Sequence, residues 1–99
     1  LLGLGEDGHT PSLFPDDPAL AERERLCVAV RGTKPPFERV TFTLPVLLAA
    51  RKLVVLAEGA GKAWAITATL AGPSPRVPAS LLAAGADVEL VADDAAAPS

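Results

Sequence analysis

Ninety-nine residues with 49% hydrophobic content suffice for one small domain with a real core. A net charge of −3, no apolar run near the ~18 residues needed to span a bilayer and no basic stretch ahead of an apolar one leave no case for nucleic acid, a membrane or a signal peptide, so the expected setting is soluble, reducing and cytoplasmic. Cys27 is the only cysteine and His9 the only histidine, which excludes a disulfide framework and a cysteine metal cluster, and the carboxylates a zinc site would need lack ligand spacing.

The chain opens on Leu1-Leu2-Gly3-Leu4, apolar residues that read as the end of a buried strand. It passes directly into Gly5-Glu6-Asp7-Gly8-His9. In open α/β sheets ligands bind just beyond the carboxyl ends of strands. Glycines there allow close backbone approach and positive φ, and an imidazole can take up and return a proton near neutral pH. A lone histidine is ordinarily a surface side chain on a structural turn. Here the glycines, the acid two residues before it and the strand-end position point instead to a catalytic loop, with Asp7 orienting the imidazole or the loop backbone through hydrogen bonds. Gly3-x-Gly5-x-x-Gly8 also has the spacing of the dinucleotide fingerprint. That fingerprint needs a long helix straight after it, and Pro11 and Pro15 leave room for little more than one turn, so no nicotinamide or flavin site is expected.

Asp16-Asp17-Pro18 reads as a turn, with Asp17 capping a short helix that runs into the charged Glu22-Arg23-Glu24-Arg25, a solvated face. Leu26-Cys27-Val28-Ala29-Val30 reads as a strand buried on both faces of a helix-covered sheet. A loop follows at Arg31-Gly32-Thr33-Lys34-Pro35-Pro36, and Arg39-Val40-Thr41-Phe42-Thr43-Leu44 alternates as an extended segment. Pro45 suits the first turn of a helix over 46–51. Leu53-Val54-Val55-Leu56-Ala57 is the clearest strand, broken at Glu58-Gly59-Ala60-Gly61 and followed by a helix over 62–70 that carries Trp64 as a packing residue. After the loop Gly72-Pro73-Ser74-Pro75 come a short helix over 78–83, a strand over 88–91 and a last helical turn over 93–97.

Strands alternating with helices argue for an α/β fold with a mostly parallel sheet. The chain begins without methionine, inside a strand already aimed at a site, so it is expected to be the C-terminal part of a longer domain whose N-terminal part supplies the neighbouring strands.

Gly3-Leu4-Gly5-Glu6-Asp7-Gly8-His9-Thr10-Pro11-Ser12-Leu13-Phe14-Pro15 resembles the G-x-G-x-D-G-H-x-x-S-L-F-P signature of the 6-phosphogluconolactonases, in the glucosamine-6-phosphate isomerase/6-phosphogluconolactonase family. The resemblance continues through Lys34-Pro35-Pro36, Arg39-Val40-Thr41, Leu44-Pro45, Glu58-Gly59-Ala60-Gly61-Lys62-Ala63 and Leu90-Val91-Ala92-Asp93, and so covers residues 1–99 almost throughout. It implies a doubly wound α/β domain like those of sugar-phosphate deaminases and ribose-phosphate isomerases. Pro11 departs from the pattern, standing where a small residue is usual. The deaminases share the D-G-H core but carry a catalytic glutamate five residues after the histidine. Phe14 holds that position here and cannot carry a proton, which favours the lactonase reading over a deaminase.

The resemblance implies hydrolysis of 6-phosphoglucono-1,5-lactone in the oxidative pentose phosphate route, with His9 as general base and Asp7 beside it. Backbone N–H groups around Gly5 and Gly8 would meet the oxyanion, and no metal or organic cofactor is implied. Strand, Gly59-Ala60-Gly61-Lys62, helix is by itself compatible with an anion site at a helix N-terminus or with an exposed lysine, and it is not a P-loop, which would need glycine at Leu56 and Ser or Thr at Ala63. The resemblance makes Lys62 a ligand of the substrate phosphate. Arg39 either clamps that phosphate bidentately or shields the strand it opens. The expected partner is a small phosphorylated lactone together with the missing N-terminal half, without which the 99 residues are expected to be inactive. A non-catalytic sugar-phosphate binder would keep Lys62 without needing His9 poised for chemistry.

Overall fold

Apolar strand-forming runs are interspersed with short helices, two of which open at prolines, in the computed structural model, which describes residues 1–32 and 35–97. The order is β1 (Leu2–Gly3), a 3-10 turn (Pro18–Ala21), β2 (Cys27–Arg31), β3 (Glu38–Phe42), α1 (Leu44–Leu48), β4 (Leu53–Ala57), a second 3-10 turn (Ala60–Lys62), α2 (Ala63–Leu70), α3 (Pro78–Gly85) and β5 (Val88–Ala92). Proline occupies the opening of α1 and α3, where its missing N–H removes no helical bond. Asp17 caps the first 3-10 turn, its carboxylate accepting the Ala19 N–H at 2.8 Å. That turn stops before the charged run 22–25, and α1 ends at Leu48 rather than at Arg51, the intervening residues turning the chain into β4.

β1, β4 and β5 form a three-stranded parallel sheet with β4 at its centre. Leu53, Val55 and Ala57 alternate along β4 on one face, and all are buried. Onto that face pack Leu44 and Leu47 of α1, Ala65 and Ile66 of α2, and Ala79 and Leu82 of α3. The core therefore has two lobes, one under Leu13, Leu20 and α1, the other under α2, with Leu2 and Val88 touching both. On the opposite face Leu56 is 47% and Val91 43% exposed. The helices among the described residues pack on the face that carries Leu53, Val55 and Ala57, in the expected α/β arrangement with a mostly parallel sheet.

The strand at 27–31 departs from expectation. It is not an inner strand of the parallel sheet but half of an antiparallel hairpin, Cys27 opposite Phe42 and Arg31 opposite Glu38. The reason is covalent reach: the link from Arg31 to Glu38 is a handful of residues, whereas a parallel return needs a crossover of about a dozen. The strand is accordingly not buried on both faces; Val30 is buried while Cys27 and Ala29 are exposed. Across the hairpin Thr41 and Arg39 turn inward, and Val40 and Phe42 face out at 72% and 51% exposed. The buried Thr43 hydroxyl donates to the Arg25 carbonyl at 2.7 Å, tying the base of the hairpin to α1. Thr33 and Lys34 of the expected loop lie outside the described residues. Among those described, no helix is long and apolar enough to cross a membrane.

Leu13 is fully buried in the lobe formed with Leu44, Leu53 and Leu82. Leu13→Ala should therefore destabilise the protein by about 2–5 kcal/mol in urea unfolding; a loss no larger than that of a surface substitution would contradict this packing.

Candidate active site

Two loops leave the same end of the sheet. Leu2 lies opposite Val55 and Gly3 opposite Leu56, so the chain emerges from β1 at Leu4-Gly5 beside its emergence from β4 at Glu58-Gly59, the end at which α/β sheets place ligands.

The first loop closes on itself. The Gly5 N–H donates to the His9 carbonyl at 2.9 Å and the Gly8 N–H to the Gly5 carbonyl at 3.0 Å. Gly8 has φ 88°, and a Cβ there would stand 2.7 Å from a Val77 methyl carbon, so both conformation and space require glycine. The buried Thr10 hydroxyl donates to the Gly3 carbonyl at 2.6 Å, and the Ala79 N–H of α3 donates to the Gly8 carbonyl at 3.1 Å. These bonds fasten the loop to β1 on one side and α3 on the other.

Within it, one carboxylate oxygen does two jobs. Asp7 Oδ1 accepts the His9 backbone N–H at 3.0 Å and lies 2.5 Å from His9 Nδ1. Burial alone would raise the Asp7 carboxyl, but the His9 backbone N–H, ring and charge outweigh it and hold the group below the ordinary carboxylate range. An ionised carboxylate only accepts hydrogen bonds, so in the neutral ring Nδ1 carries the proton and Nε2 is the nitrogen left to take one up. The imidazole lies directly on Gly5, where any Cβ would overlap its Nδ1 and Cε1. Phe14, buried at 4% exposure, packs against the same ring with centroids 4.7 Å apart and planes tilted by 34°.

The second loop brings a cation. Lys62 closes the 3-10 turn at the start of α2, and its half-buried ammonium donates to the Leu4 carbonyl at 2.6 Å. Both carboxylate oxygens of Asp93 accept the Gly59 N–H at 3.1 Å, steadying this loop from β5. From the hairpin comes Arg39, whose Nε donates to the Pro36 carbonyl at 2.8 Å and whose guanidinium carbon lies over the Phe14 ring, 5.4 Å from its centroid. Together Gly5, Glu6, Asp7, His9, Phe14, Arg39 and Lys62 line a cleft of about 530 Å³.

Five of the residues singled out in the sequence (Gly5, Asp7, His9, Arg39 and Lys62) thus meet at one cleft. Gly8 does not line it. The N–H groups of Gly5 and Gly8 themselves are both engaged within the loop. Trp64 is also displaced from its expected packing role: it is 60% exposed, because Ala65, Ile66 and Thr69 form the inward side of α2. Phe14 and Glu6 line the cleft without having been assigned to it. Phe14 was visible in the sequence only as the residue barred from acid–base work, and Glu6 as a spacer between glycines; its carboxylate rests where a Gly61 Cβ would be. Among the described residues no group of three or more His, Cys, Asp or Glu could hold a metal.

The family model for glucosamine-6-phosphate isomerases/6-phosphogluconolactonase matches residues 1–91, and the chain belongs to that family. It is 56% identical over 64 residues to the 6-phosphogluconolactonase of Homo sapiens, an alignment covering 64% of this chain and 25% of that protein. With the 6-phosphogluconolactonase of Mycobacterium tuberculosis it shares 46% identity over 87 residues, 87% of this chain and 34% of that protein. The structure of 6-phosphogluconolactonase from Trypanosoma brucei superposes with a TM-score of 0.82 at 32% identity, covering 96% of this chain and 39% of that one. The chain therefore spans about a quarter to a third of the length of the curated relatives it matches.

Because the His9 ring occupies the space of a Gly5 side chain, Gly5→Ala should push the imidazole off Asp7 while the fold survives. Imidazole ¹⁵N shifts should report loss of the Nδ1–Asp7 hydrogen bond, with stability lower by only about 1 kcal/mol. Unchanged His9 shifts in the folded variant would show that the ring does not depend on this close approach.

Proposed function

We propose that this chain carries the general base and part of the phosphate-binding set of a cytoplasmic lactonase that hydrolyses 6-phosphoglucono-1,5-lactone to 6-phosphogluconate in the oxidative pentose phosphate route. The observation that carries the reading is the Asp7–His9 pair, 2.5 Å apart over Gly5, in a cleft shared with Lys62 and Arg39. Asp7 holds the proton on Nδ1, so His9 Nε2 takes a proton from water as the water oxygen bonds to the lactone carbonyl carbon. When the bond from that carbon to the ring oxygen breaks, the imidazolium returns the proton to the departing oxygen. Such positioned proton transfer supplies about 10²–10⁴-fold. Lys62 and Arg39 offer charge-assisted donors to the phosphate at the far end and so orient the carbonyl toward His9.

The deaminase chemistry of the same family is not the reading adopted. Phe14 stands where the resemblance places the deaminases' catalytic glutamate, and it is buried against the His9 ring, so that position offers an aromatic ring rather than a carboxylate.

In the full-length protein His9→Asn should lower kcat for lactone hydrolysis by about two to four orders of magnitude with the fold retained; turnover near that of wild type would remove His9 from the reaction. Lys62→Ala should raise KM for the phosphorylated lactone more than for its unphosphorylated counterpart, since only the former loses a charge-assisted contact. Equal effects on both lactones would show that Lys62 does not meet the phosphate.

A further inference from the structure

Phe14 is 4% exposed, yet it belongs to neither of the two apolar lobes of the core. Its ring instead meets two polar groups of the cleft. The His9 imidazole lies 4.7 Å away, centroid to centroid, and the Arg39 guanidinium carbon lies 5.4 Å from its centroid. Arg39 comes from β3 and His9 from the loop after β1, so this one ring joins two cleft residues from separate elements.

The hydrogen bond to Asp7 does not by itself orient the imidazole. The Asp7 bond favours one setting of the ring, but the terminal torsion of histidine is broad, and rotation about Cβ–Cγ swings Nδ1 off Oδ1 and releases the tautomer. The same rotation tilts the ring plane and redirects the lone pair of Nε2, the nitrogen that must reach a proton. Gly5 limits that motion by backbone contact, and the Phe14 ring limits it by aromatic packing. Arg39 is laid over the same ring, its guanidinium carbon 5.4 Å from the centroid. Leucine would fill the volume but supply neither the aromatic surface for the imidazole nor the π-face for the guanidinium.

We propose that Phe14 is a positioning residue: its ring holds the plane of the His9 imidazole and gives the Arg39 guanidinium a face to lie on, and so sets turnover without touching the reacting atoms. The proposal rests on the lactonase reading for its kinetic arm and on the geometry alone for its spectroscopic arm. The test compares Phe14→Leu and Phe14→Tyr with wild type in the full-length protein. Kinetics on the phosphorylated lactone, imidazole ¹⁵N shifts of His9 and thermal unfolding are measured for each.

In Phe14→Leu, kcat should fall by about 10²-fold, the scale expected for an ångström-sized misplacement of a catalytic group. Its KM should change much less, and the His9 shifts should move from a single Nδ1–H tautomer toward a mixture. Phe14→Tyr, which keeps the ring, should restore both kcat and the single tautomer. A folded Phe14→Leu with wild-type kcat and tautomer would overturn the proposal, as would a Phe14→Tyr as impaired as Phe14→Leu. If Phe14→Leu does not fold, Phe14→Met takes its place, and failure of both ringless variants to fold would make Phe14 a stability residue and equally overturn the role. Should wild type show no lactone turnover, the lactonase reading fails, and the tautomer comparison alone then decides for or against Phe14.

Discussion

The pairing of Leu2 and Gly3 with Val55 and Leu56 is the constraint from which the rest of the cleft follows. β1 is only two residues long, too short for its ladder to resist slippage unaided. A slip of one residue would turn Leu2 and Leu4 out of the core, and it would carry Gly5 away from the start of α2. The register is held from outside the ladder instead. Leu4 is buried between Val55 and Ala57, the Thr10 hydroxyl returns to the Gly3 carbonyl, and the Lys62 ammonium crosses from the neighbouring loop to the Leu4 carbonyl. Lys62, which lines the cleft, is in this sense also a group that keeps the strand in place.

Asp7 couples the loop to the imidazole through a single atom. The oxygen that accepts the His9 backbone N–H is also the one beside Nδ1, so backbone geometry and ring tautomer cannot vary independently. A carboxyl held below its ordinary range contributes stability that is present above its unfolded value and lost as pH falls through its folded one. The pairing therefore persists throughout the neutral range and is dismantled only in acid.

Much of this was legible in the chain. The apolar run Leu53–Ala57 read as the clearest strand, Pro45 and Pro78 announced helix starts, and Asp17 announced a cap. The order Gly5-Glu6-Asp7-Gly8-His9 at a strand end located the loop, because glycine pattern and strand end are both local properties. The errors arose where local composition competes with connection length or tertiary direction. Cys27–Arg31 is apolar enough for a buried parallel strand, but the short link to Glu38 permits only a hairpin. Trp64 is large and apolar, yet which side of α2 faces the core is decided by Ala65, Ile66 and Thr69. Phe14 could not be assigned to the cleft because its partners, His9 and Arg39, come from loop and hairpin and meet only in three dimensions.

The Lys62–Leu4 hydrogen bond has a consequence for how any ligand is met. A lysine side chain carries about 2 kcal/mol of rotamer entropy, and a protein that orders such a chain only on binding loses about 0.5–1.5 kcal/mol of affinity for each one immobilised. Here the ordering is completed when the polypeptide folds, because a main-chain carbonyl has already selected one rotamer. Two further ammonium protons stay available, on a side chain already tethered at its end. Any anion that bound there would not have to offset the entropy of ordering this side chain.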